Sequence, residues 1–180
     1  LFWLSKESSI LINNWFMMYF LSVVLIGTTY PIFLEVVSSE KISVGPPFYN
    51  KLLIPFLIPF LIVMAIGPKL KWIKSNLEEK TYLFVFLIIS FLLSVFIIKK
   101  FNMNYLMNTI LITSAFYLFF ITLRDFFIKR SKNLSQNLSH FGFSLLILSI
   151  LFNNIFSTEI ITNLKIGETF ETKKFKINFE

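Results

Sequence analysis

The chain holds one histidine, His140, and no cysteine. Thiolate metal sites, disulfides and thiol nucleophiles are therefore excluded within it. Any imidazole chemistry falls to His140, in the stretch Leu138 to Phe156, LSHFGFSLLILSILFNNIF. Neutral imidazole suits haem iron, which often takes a histidine between helices. A second axial ligand must come from elsewhere; Met64 and Met107 are thioethers in apolar stretches, but no spacing singles them out. A proton relay needs acidic partners, and the uncharged spans offer no Asp or Glu. Gly142, two residues on, offers a site where a flat ligand could approach the backbone. No Ser-His-Asp set, Walker loop, HExxH or GxGxxG occurs. The adjacent Glu78 and Glu79 lie in a lysine-rich stretch and read as solvated.

The elements that position His140 are membrane spans. The 180 residues are 56% hydrophobic and 15% charged, with 24 phenylalanines. A globular domain carries about 25% charged residues. Long uncharged runs account for the difference and predict an all-α polytopic membrane protein. About five spans are expected, near 15–34, 48–67, 81–98, 103–123 and 138–156, so that 1–156 is the transmembrane helical region. Each run is near the ~20 residues that cross a bilayer core. Residues 1–13 read as an interfacial helix or the tail of a preceding span. Pro31 is expected to kink or end the first span. Gly45-Pro46-Pro47 reads as extended or turning backbone in a connection that reaches Lys51. Pro55 and Pro59 predict a kinked second span; the sharper alternative is a broken helix lining a site.

Residues 157–180 change character. Phe170 and Thr172, then Phe175, Ile177 and Phe179, alternate with polar residues and predict a β-hairpin or the first strands of a small extracytoplasmic β-domain. The start at Leu1 and the end within this pattern are those expected of part of a longer polypeptide.

The net charge of +7 comes from lysines flanking spans. It reads as a topology signal, not a nucleic-acid surface, since no basic run is long enough to form one. One side collects Lys6, Lys69, Lys71, Lys74, Lys80, Arg124, Lys129, Arg130 and Lys132, nine residues; the other has Lys41, Lys51, Lys99 and Lys100, four before the tail. The nine-residue side is then cytoplasmic or in the mitochondrial matrix. His140 enters the bilayer from that side, and the tail lies opposite. An ionisable group in a span is a functional hypothesis by default. The plainer alternative is an imidazole resting at the interface beside the polar run 133–139, and on pattern alone the two readings stand level.

Several stretches together resemble one family. They are Ser5-Lys6-Glu7 with Asn13-Asn14, Gly27-Thr28-Thr29-Tyr30-Pro31, Glu35, and Lys41-Ile42-Ser43-Val44-Gly45-Pro46-Pro47-Phe48-Tyr49-Asn50. Pro55, Pro59, Met64, Gly67-Pro68, Trp72 and Ser139-His140-Phe141-Gly142 follow. The chain resembles the C-terminal part of the CcmF family, the haem lyases of the System I (Ccm) cytochrome c maturation pathway. The run KISVGPPFYN is the most specific of these matches.

The resemblance implies cytochrome c biogenesis. The family attaches haem, brought by a haem-loaded haem chaperone, to the CxxCH thiols of apocytochrome c. Thiol-reducing and thiol-presenting Ccm subunits are the implied partners, with quinol as an electron source and membrane lipid around the spans. The family also holds a haem b between two span histidines, and His140 resembles the second of these, making it the haem iron axial ligand. No catalytic residue is assigned. The other span histidine, two external histidines and a tryptophan-rich segment find no match here, so this chain alone is expected to be inactive. The implied location is the bacterial inner membrane with the tail in the periplasm; the mitochondrial inner membrane is the alternative. The competing reading is a non-catalytic membrane subunit or transporter piece whose proline-broken helix lines a path. A blander one is an assembly subunit with no cofactor.

Overall fold

The computed structural model describes residues 5–38, 42–72, 81–101, 105–128, 134–157, 169–171 and 176–178. Five helices dominate: α1 Lys6–Ser38, α2 Pro46–Ile66, α3 Thr81–Phe101, α4 Tyr105–Ile128 and α5 Leu134–Phe156. A 3-10 turn, Gly67–Lys69, continues α2. All five helices are long and apolar enough to cross a membrane, as expected for a multi-pass membrane protein.

α1 is longer than the uncharged run that predicts it. Ser5 caps it, its Oγ accepting from the Ser8 amide at 3.2 Å, so residues 6–13 join the first span in one helix of 33 residues. Of the two readings of 1–13, a separate interfacial helix is not seen for residues 6–13; residues 1–4 lie outside those described. Pro31 sits inside α1 without ending it.

The reading of Gly45-Pro46-Pro47 needs correction. Gly45 is extended (φ −102°, ψ −179°), but Pro46 and Pro47 are the first two residues of α2. Proline suits this place because its fixed φ is helical and the missing N–H belongs to a turn whose donors have no intrahelical partner. Pro55 and Pro59 also lie within a continuous α2, so the proline-broken helix behind the transporter reading is not seen. Beside the carbonyl that Pro55 cannot reach, the Tyr19 hydroxyl of α1 donates to the Leu52 carbonyl at 3.0 Å.

α4 is the central helix, packed against α2, α3 and α5; α1 packs on α2 and its 3-10 turn. Leu118, Ile121 and Ala115 of α4 are buried with Leu61 and Phe60 of α2 and Leu148 of α5. Phenylalanines form much of the packing: Phe60 meets Phe16 and Phe20 of α1 at 6.0 and 5.4 Å, and Phe143 of α5 at 6.0 Å. Small hydroxyl residues fill the tightest seams. Ser94 and Thr113 hydrogen-bond between α3 and α4 at 2.7 Å, and Thr122 and Ser144 between α4 and α5 at 3.2 Å. Such residues let helices approach where lipid offers no hydrophobic drive to associate. Large apolar side chains such as Leu21, Phe84 and Leu92 point outward, the surface a lipid solvent requires.

The last described elements are β1 Thr169–Glu171 and β2 Lys176–Asn178. They pair antiparallel, with Phe170 opposite Ile177. The hairpin expectation holds for these residues; residues 158–168 and the other tail positions lie outside those described.

Candidate functional site at the α1, α2 and α5 cleft

One end of the bundle gathers the start of α1, the end of α2, the end of α4 and the start of α5. The Lys6 amide donates to the Lys71 carbonyl at 3.0 Å, and its ammonium lies 5.0 Å from the Trp72 ring centroid. These contacts pin the start of α1 to the segment following α2. Gly67 permits the approach, since a Cβ there would overlap Ser9 Oγ.

His140 lies in the second turn of α5. It lines a cleft of about 380 Å³ between α1, α2 and α5. Ile10, Met17, Phe60, Val63, Met64 and Phe143 provide the apolar wall; Lys6, Ser9, Asn13 and Gln136 add polar groups. This volume falls within the roughly 300–1,000 Å³ of ligand pockets. His140 Nδ1 is buried and lacks a hydrogen bond among the described residues. An imidazole resting in the headgroup region would keep both nitrogens in water, and here Nδ1 is withdrawn from it.

Next to this cleft, α4 carries a feature not anticipated from the sequence. Its helix runs on to Ile128 and so includes Arg124 and Asp125, which read as loop charges in the sequence. Lys69, at the end of the 3-10 turn, reads in the sequence only as one of the topology lysines. Instead the Lys69 ammonium and Asp125 Oδ2 form a buried ion pair, with side chains 2% and 11% exposed. Arg124 Nη1 lies 4.0 Å from Asp125 Oδ1, and its guanidinium stacks 3.7 Å from the Tyr82 ring centroid on α3. Asn137 Nδ2 donates to the Asp125 carbonyl at 3.2 Å. A second, small cavity of about 10 Å³ is lined by Asp125, Thr122, Asn137, Gln136, Met64 and His140 among others. The imidazole therefore stands between the large cleft and the Asp125 site. A readable signal for this existed: Asn137, His140 and Ser144 recur at i, i+3 and i+7 on α5, a polar stripe along one helix face.

The other candidates separate. Met64 shares the cleft with His140, whereas Met107 lies near the opposite end of α4 and is exposed. Gly142 is exposed; a Cβ there would meet nothing within 4 Å, and it is not among the residues lining the cleft. A close approach of another kind, between helices, occurs at Gly27, where a Cβ would fall 2.7 Å from Tyr49 Oη. Glu78 and Glu79 lie outside the described residues. Among the described residues no three of His, Asp and Glu converge as a metal-ion site would need. A single imidazole with an apolar wall instead fits haem, whose own ring supplies four of the iron's ligands, and Lys6 adds a cation at the rim.

Comparison with known proteins gives relatives for the chain as a whole. The chain is similar to the cytochrome c-type biogenesis protein CcmF of Haemophilus influenzae, 27% identical over 97% of this chain and 30% of the relative. It is similar to the protein of the same name in Escherichia coli, 24% identical over 97% of the chain and 28% of the relative. A Pseudomonas fluorescens CcmF is 41% identical over 68 residues, 38% of this chain and 10% of the relative. No family model and no solved structure matches. The chain spans about 30% of the length of the Haemophilus relative. Matches to several such proteins run nearly its whole length, so the chain is similar, from end to end, to part of the cytochrome c-type biogenesis proteins CcmF and CycK.

Proposed function

We propose that this chain supplies one side of a haem b site, with His140 as an axial ligand, in a haem lyase that joins haem to the CxxCH thiols of apocytochrome c. The observation that carries the reading is a lone, half-buried imidazole on the wall of an apolar cleft within the membrane-spanning bundle. α5 holds the ring at a fixed depth. Phe60, Val63 and Phe143 exclude water from around it, and Lys6 offers a cation for an acidic group at the rim. The chain has a single histidine, so a second imidazole would come from outside it. Haem bound there would supply one-electron chemistry, passing electrons drawn from quinol toward the substrate haem. His140 acts in this reading as a ligand, not as the acid or base of thioether formation. The haem-loaded haem chaperone and apocytochrome c would meet the protein on the face opposite Lys6, at the inner membrane's outer side.

The test is His140→Ala in the full-length protein. The b-type haem absorption should be lost or strongly reduced in the purified variant. Undiminished absorption at wild-type haem stoichiometry would remove the assignment and favour a purely structural role.

A further inference from the structure

We infer that Asp125 is a positioning residue for His140: the imidazole Nδ1–H donates to Asp125 Oδ1, directly or through one water, which turns Nε2 toward the cleft. This rests on the reading of His140 as the iron ligand. Two hydrogen-bond rungs join α4 to α5, Asn137 to the Asp125 carbonyl and Ser144 to Thr122. His140 lies between Asn137 and Ser144 on the same face of α5. Asp125 and Thr122 are likewise one turn apart on α4. The imidazole is thus bracketed against the α4 surface that carries Asp125.

Among the described residues, two buried side-chain polar atoms lack a hydrogen bond: Asp125 Oδ1 and His140 Nδ1. Both residues line the same cavity of about 10 Å³. That is about the room one water needs, and a water there has polar partners on several sides. Lys69 fixes Oδ2, and Arg124 approaches Oδ1 only to 4.0 Å. Oδ1 therefore keeps acceptor capacity for the imidazole. A histidine that ligates a metal usually donates its other N–H to a carboxylate, carbonyl or water, which fixes the tautomer and raises the ligand's basicity. The pair with Lys69 keeps the carboxylate anionic and in place.

The experiment is a redox titration of the b haem in the purified full-length protein. Asp125→Asn should retain the haem band and raise its midpoint potential, because a less electron-rich imidazole favours ferric iron less. The rise is about 59 mV for each tenfold by which ferric affinity falls beyond ferrous affinity. Lys69→Met/Asp125→Leu removes both charges at constant net charge and should raise the potential as well; it also serves if Asp125→Asn does not accumulate. Ser144→Ala, on the adjoining rung, should leave the potential unchanged. An unshifted potential in the double variant, or an equal shift in Ser144→Ala, overturns the inference. Loss or persistence of haem in His140→Ala decides the underlying ligand assignment separately.

Discussion

The Lys69–Asp125 pair makes a quantitative prediction about stability that is independent of any cofactor. Its side chains are 2% and 11% exposed, so neither charge reaches bulk solvent. Removing one partner of such a pair costs about 3–5 kcal/mol, whereas replacing both with apolar residues of similar volume is often neutral or stabilising. Asp125→Leu is expected near the upper figure, since it takes away the carboxylate that the Lys69 ammonium meets. Lys69→Met is expected near the lower one, because Arg124, 4.0 Å from Oδ1 and 29% exposed, can turn toward the carboxylate. At 1.4 kcal/mol per tenfold, these costs correspond to roughly two to three and a half orders of magnitude in the folded-to-unfolded ratio. Lys69→Met/Asp125→Leu should recover most of the loss. The assay is reversible unfolding of the full-length protein in mixed micelles, analysed as a double-mutant cycle. A coupling energy below about 0.5 kcal/mol, the scatter seen for independent sites, would refute the buried pair.

Two further expectations use other parts of the bundle. Gly27→Ala should be about 1–3 kcal/mol less stable than Gly142→Ala, because both gain the same helix propensity but only the first drives a Cβ into the Tyr49 ring; equal stability in the same unfolding assay would contradict the α1–α2 approach. A reporter fused after Phe156 should be active outside the cytoplasm, as the nine-to-four distribution of basic residues requires. Cytoplasmic activity of that fusion would invert the topology.

Much of the architecture is legible in the chain itself. A run of about 20 apolar residues has few ways to satisfy its backbone in lipid other than a helix, so the spans follow from length and composition. Their ends are less legible. The first span grows back to Lys6 because Ser5 caps it, and α2 starts on prolines because helix N-termini tolerate them. Alternation of phenylalanine and polar residues marked β1 and β2, where pairing is local.

His140 stands out from the sequence by being the chain's lone histidine; what surrounds it does not. Helices apolar on every side carry little periodicity to say which faces meet, and so the central place of α4 is a tertiary outcome. Lys69 and Asp125 are 56 residues apart and sit among other charges near span ends. Nothing in the sequence pairs them, and solvation is the inexpensive state of an isolated charge. Only the packing of α2 beside α4 brings the opposite charges together and makes their burial tolerable. The sequence determined that there is one imidazole and about how deep it lies. The tertiary structure decided that it faces an apolar cleft on one side and a buried carboxylate site on the other.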